Sequence, residues 1–219
     1  MKKLVIVGCG RLAGIVADAV VKGLLPDYDL VGVYSRTASK AAHIVHKMQQ
    51  HGKPCIACAT LEELLALKPD YLVESASPAA MRELALPALR NGTSVITLSI
   101  GALADETFYQ EVAETAKANG TRIYIASGAT GGFDVLRTAS LMGNTTARFF
   151  NEKGPNGLKG NSPFYDDSLA NGATYRLLRK CCGSYSPLSN QSDVTVAASR
   201  ASVGPENMQV SIQSTPGFV

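Results

Sequence analysis

Leu4-Val5-Ile6-Val7-Gly8-Cys9-Gly10-Arg11-Leu12-Ala13 is an apolar run that breaks into a glycine loop and leads directly into a helical pattern. It matches the G-x-G-x-x-G/A fingerprint in the strand, loop and helix setting that gives the pattern its meaning. Gly8 permits a tight turn, Gly10 lets backbone approach a pyrophosphate, and Ala13 is small enough for the helix to pack on the strand. The helix N-terminus attracts phosphate. A turn that merely joins strand to helix also accounts for two glycines, but not for their setting.

The same unit repeats along the chain. Continuous apolar runs at residues 4–7, 30–34, 55–58, 71–74, 95–98 and 123–126 read as strands covered on both faces, hence a parallel sheet. Helices fall between them at about residues 11–24, 38–51, 61–67, 78–91 and 105–119. Thr60 with Glu63 forms a capping box, Ser77-Pro78 supplies an N-cap and a first-position proline, and Gly92 and Gly120 sit where helices stop. This alternation predicts an α/β fold, a Rossmann-type doubly wound sheet over residues 1–130 whose strand carboxyl ends share one ligand-binding edge. Residues 131–219 read as a second, smaller α+β domain for substrate and dimerisation. It has a helix at 133–142, a strand at 145–150, Asn, Gly and Pro-rich sequence to Gly172, helices near 175–181 and 194–201, and a strand at 208–212. Few strands and no closing element make that domain C-terminally incomplete.

Composition excludes several classes. Hydrophobic residues make up 46% and charged residues 18%, the balance of a soluble globular chain. The net charge of +3 comes from scattered basic residues, which predicts no nucleic-acid and no membrane partner but allows a small anionic ligand. Met1-Lys2-Lys3 precedes an apolar run too short for a signal peptide, and no stretch reaches the roughly 20 apolar residues of a membrane span. Five cysteines without scaffold spacing fit a reducing cytoplasm.

At the end of the second strand an NAD site would usually place a carboxylate against the ribose 2′-hydroxyl, about 20 residues past the fingerprint. Here stand Tyr34-Ser35-Arg36. Arg36 could pair with a 2′-phosphate, which puts NADP level with NAD, or could be a solvated loop residue. Glu74-Ser75-Ala76-Ser77-Pro78 and Ser99-Ile100-Gly101-Ala102-Leu103-Ala104-Asp105 lie at the same edge, with Glu74 read first as a buried group with structural partners. Ser127-Gly128-Ala129-Thr130-Gly131-Gly132 offers either backbone access to a nicotinamide ring or a hinge. Cys55-Ile56-Ala57-Cys58 has no second pair to make a metal site, and Cys181-Cys182 are adjacent, so no metal is expected. His43, His46 and His51 lie on one helix and read as an exposed face. Asp134 competes between a substrate contact and an N-cap.

Taken in order, the Gly8-Cys9-Gly10 loop, Leu30 to Tyr34, Glu74 to Pro78, Ala85-Leu86-Pro87-Ala88-Leu89, Ser99 to Asp105 and Ser127 to Gly132 resemble the L-aspartate dehydrogenase family over residues 1–142. The resemblance implies oxidation of L-aspartate to iminoaspartate with NAD or NADP, reversal as reductive amination of oxaloacetate, a link to NAD biosynthesis, and a homodimer. It places Gly10, Arg11 and Leu12 at the pyrophosphate, with Gly8 in the same cofactor-binding loop, and residues near Ser35 and Arg36 at the adenosine ribose. Ala76, Ser77, Ser99 and Ala129 fall along the nicotinamide half, with Pro78 and Thr195 completing the cofactor set. Past Met142 the agreement decays. The family's R-K-P-P stretch survives only in part at Phe149 to Pro155, and its N-x-N-V-A-A segment is Asp193-Val194-Thr195-Val196-Ala197-Ala198, with Thr195 at an asparagine position. The family's catalytic histidine has no counterpart before Val219, so the catalytic residue is unknown. Two readings remain beside an active aspartate dehydrogenase: a dinucleotide-binding protein without catalysis, and a dehydrogenase for another small amino or hydroxy acid.

Overall fold

β1 (Lys2–Val7) sits in the middle of the first sheet because it is apolar on both faces. Leu4, Val5, Ile6 and Val7 are all buried, as in a strand with helices above and below. The computed structural model describes residues 1–128, 130–158, 167–168, 175–180 and 193–217. β1 pairs in parallel with β2 (Tyr28–Tyr34) on one side and β4 (Tyr71–Glu74) on the other. With β3 (Ile56–Cys58), β5 (Ser94–Thr97) and β6 (Ile123–Ile125) the order is β3-β2-β1-β4-β5-β6, and every pairing is parallel. The doubly wound sheet expected from the sequence is therefore present. Its strand order reverses between β1 and β4, the switch point where a crevice opens beyond the strand ends. Val7 lies in register with Tyr34 and with Glu74, so three strands end level and their loops share one edge.

The helices of this sheet are α1 (Arg11–Val21), α2 (Ala38–Gln50), α3 (Leu61–Ala66), α4 (Pro78–Arg90) and α5 (Glu106–Ala118). α1 buries Ala13, Ala17 and Val20, while α2 buries Ala41, Ile44 and Met48. Both rows follow helical spacing and pack with Leu4, Ile6, Leu30 and Val33 into one cluster. The small residues of α1 let it lie close on the strands. α1 ends three residues short of expectation, where Gly23 and Leu24 fold their N–H groups back onto Val20 and Ala19. The α3 cap forms: Thr60 Oγ1 accepts from the Glu63 N–H at 3.2 Å. Glu63 Oε2 reaches past the cap to the Ala59 N–H at 2.8 Å. At α4, Ser77 Oγ accepts from the Ala80 N–H at 3.2 Å and Pro78 takes the first helical position.

The chain divides into two compact units, Met1–Ala102 with Glu106–Ala126, and Leu103–Asp105 with Ser127–Val219. The second holds α6 (Phe133–Leu141), β7 (Arg148–Lys153), β8 (Tyr175–Lys180), α7 (Asp193–Arg200) and β9 (Gln209–Ser214). Its sheet runs β7-β9-β8, with β9 parallel to β7 and antiparallel to β8. Three expectations change here. Residues 175–180 form a strand and not a helix, because pairing with β9 outweighs the local propensity of Leu, Arg and Lys. β7 begins at Arg148 and not at 145, since Thr145 Oγ1 donates to the Ala139 carbonyl at 2.7 Å and closes off α6. β9 starts at Gln209 and runs to Ser214, because it is paired along its whole length on both sides. α7 buries Thr195 to Ser199, and Arg200 Nε and Nη2 donate to the Leu103 carbonyl at 2.9 and 2.7 Å.

Candidate functional site

A cleft of about 250 Å³ opens where β1, β2 and β4 end, within the first unit. Its floor is the β1–α1 loop. Gly8 has φ +91°, in the left-handed region that glycine occupies freely, and a Cβ there would lie 2.7 Å from Ala76 backbone atoms. The β4–α4 loop is held against it: the Ser75 N–H donates to the Val7 carbonyl at 2.9 Å and Ser75 Oγ to the Gly8 carbonyl at 2.7 Å. Gly10 differs. Its φ is −86°, and a Cβ on it would meet nothing within 4 Å. The first glycine of the fingerprint is required by packing inside the protein; the second leaves open space beside the cleft.

Glu74 organises the edge from beneath. It is fully buried, and every contact to its carboxylate comes from a donor. Oε1 accepts from the Ala76 N–H at 2.8 Å, the Ser77 N–H at 3.0 Å and Ser99 Oγ at 2.9 Å. Oε2 accepts from Thr97 Oγ1 at 2.8 Å and the Ser99 N–H at 3.1 Å. One side chain thus ties the loop after β4 to the loop after β5, and Glu74 is the buried group with structural partners that the sequence suggests. The Ser99 hydroxyl and amide are both spent on it, so Ser99 offers this edge its position and not a free donor.

Of the residues nominated from sequence, Gly8, Gly10, Ser35, Arg36, Ala76 and Ser77 line the cleft together. Arg11 and Leu12 open α1 directly after it, and Pro78 opens α4. Thr195 is buried in α7 of the second unit, and Ala129 falls outside the described residues. Asp134 lies in the exposed first turn of α6, whose N-cap is Gly132 at φ +76°. The lining residues that were not nominated include three with polar or charged side chains from the surrounding helices, Thr37, Lys40 and Glu83. Lys40 carried a signal, since it follows Arg36 by four residues and opens a helix beside the same loop.

The three described cysteines serve packing. Cys9, Cys55 and Cys58 are free and buried. Burial pushes the Cys9 thiol up to about 11 and the Cys55 thiol up to about 12, so both stay protonated and poorly nucleophilic at neutral pH. Cys181 and Cys182 lie outside the described residues. His43 and His46 are exposed on α2, and His51 caps its end. Among the described residues no helix is long and apolar enough to cross a membrane.

A family model described as the NAD-binding domain of homoserine dehydrogenase matches residues 8–126, from the first fingerprint glycine to the end of the parallel sheet. The chain belongs to this family. Within it, the resemblance to L-aspartate dehydrogenases seen in the sequence is met by curated relatives. The chain is 32% identical over 141 residues to L-aspartate dehydrogenase of Methanocaldococcus jannaschii, covering 64% of this chain and 51% of that protein. It is 33% identical over 164 residues to the enzyme of Methanocella arvoryzae, covering 75% and 58%. The chain therefore spans little more than half the length of the curated relatives it matches. Aspartate dehydrogenase from Thermotoga maritima has a similar fold, with a TM-score of 0.73 at 20% identity over 100% of this chain and 80% of that one.

Proposed function

We propose that this NAD-binding-family chain acts as an NAD(P)-dependent dehydrogenase that oxidises L-aspartate to iminoaspartate, which water converts to oxaloacetate and ammonia. The observation that carries the proposal is the cleft at the strand-order switch point, floored by a fingerprint loop whose second glycine faces open space. Its residues fit a dinucleotide. The start of α1, with Arg11 and Leu12 and no acidic residue in its first turn, presents free backbone N–H groups and a positive dipole end to a pyrophosphate. Ser35 and Arg36 bound the ribose side, and Ala76 and Ser77 line the opposite wall, with Pro78 opening α4 directly after them. The family resemblance assigns Ser99 and Ala129 to the nicotinamide half and Thr195 to the cofactor set. When bound, the cofactor accepts a hydride from the aspartate C2 at its nicotinamide C4. The chain's own work is to hold the cofactor in place, and the Glu74 network would serve it by fixing the loops after β4 and β5. A homodimer, a cytoplasmic setting and a supply role in NAD biosynthesis belong to the same reading and are supported by the resemblance to the relatives.

The test is consumption of reduced cofactor when the purified chain is given oxaloacetate and ammonia. The proposal expects fluorescence loss that depends on both substrates. Cofactor binding without consumption would leave a dinucleotide-binding protein that does not turn over. Gly10→Ala isolates the cleft: its melting temperature should stay within about 2 °C of the parent, while dinucleotide affinity falls at least about tenfold as the new methyl takes up cleft space. Unchanged affinity would remove Gly10 from the binding surface.

A further inference from the structure

Resting on the dinucleotide reading above, we infer that the cleft end formed by Ser35, Arg36, Thr37 and Lys40 is a subsite for the ribose 2′-phosphate, so the chain selects NADP(H) over NAD(H). Arg36 follows β2, and Lys40 lies in the first turn of α2; both line the cleft and both are exposed. Neither side chain takes part in an ion pair or side-chain hydrogen bond among the described residues. The first turn of α2 has no acidic residue, so its positive dipole end adds to these two charges. Thr37 caps α2 without spending its hydroxyl on the helix, and its N–H donates to Ser35 Oγ at 3.3 Å, which orients that serine. Among the described residues, Glu83 on α4 is the one carboxylate lining the cleft. The site therefore holds two cations against one anion, without the carboxylate that usually engages a 2′-hydroxyl at the end of β2. A phosphate monoester of nearly two negative charges balances that excess, with Arg36 able to bind it through two donors.

The experiment titrates the purified chain with NADPH and NADH by cofactor fluorescence at low salt, and with 2′,5′-ADP and 5′-AMP by calorimetry, which probe the subsite without the nicotinamide. NADPH should bind at least about tenfold more tightly than NADH, and 2′,5′-ADP more tightly than 5′-AMP by a similar ratio. Both preferences should shrink in 0.5 M salt, as screening of exposed charges requires. Arg36→Ala with Lys40→Ala should weaken NADPH at least about tenfold more than it weakens NADH, bringing the two to parity. Arg36→Asp should reverse the preference, a gain that a merely unfolded variant could not give. Equal binding of both cofactors by the parent chain would overturn the subsite and leave the dinucleotide reading standing; binding of neither would overturn both.

Discussion

Gly8→Ala should leave little folded protein. The added methyl lies 2.7 Å from Ala76 Cα, Cβ and N, a separation that real contacts do not show, and φ +91° strains any L side chain. Relief would need the β1–α1 and β4–α4 loops to separate. They are joined by the Ser75 bonds to Val7 and Gly8, and Ala76 is itself held by Glu74. Overpacking and backbone strain together amount to about 4 kcal/mol, against a total stability on the order of 5–15 kcal/mol. The expected result is a fall in melting temperature of more than about 10 °C by circular dichroism, or loss of soluble protein. Gly10→Ala, two residues away and with nothing near its Cβ, is the internal control. If the two variants melted together, the distinct roles given to these glycines would be wrong.

Glu74→Gln should be the second most damaging change, although it alters only one atom. Oε1 receives three donors and Oε2 two, so an amide nitrogen placed at either position faces at least two N–H or O–H groups. Flipping the amide only chooses which bonds are lost. Each buried donor left without an acceptor costs about 1–3 kcal/mol, giving a destabilisation on the order of 2–4 kcal/mol. Because the stranded donors sit in the loops after β4 and β5, dinucleotide affinity should fall as well, even where the variant is still folded. Chemical denaturation of Glu74→Gln within about 0.5 kcal/mol of the parent, with unchanged cofactor binding, would dismiss Glu74 as the organiser of this edge.

These two sites also mark what the sequence makes legible. The Gly8-to-Ala13 fingerprint, the Thr60 cap and the Ser77-Pro78 start are short-range signals, decided by neighbours along the chain, and the structure realises each of them. The continuous apolar runs likewise reveal a parallel sheet, since inner strands covered on both faces tolerate them. The edge strands β3 and β6 leave Ile56 and Tyr124 exposed, so these two are not covered on both faces as the sequence suggests. What needs the fold is harder to see. Glu74 reads as a buried group, but its ties to Thr97 and Ser99 cross more than 20 residues and exist only because β4 and β5 are neighbours. Lys40 and Glu83 reach one cleft from α2 and α4, a meeting no spacing rule announces. β8 is a strand only because β9 pairs with it from about 30 residues downstream, while its own Leu, Arg and Lys favour a helix.

Amide hydrogen exchange of the whole chain, with and without saturating NADPH, tests the central claim most directly. The account predicts slowed exchange in three separate stretches, residues 8–14, 34–40 and 74–80, which meet only at the cleft beyond β1, β2 and β4. Exchange unchanged in all three, or protection confined to other parts of the chain, would contradict it.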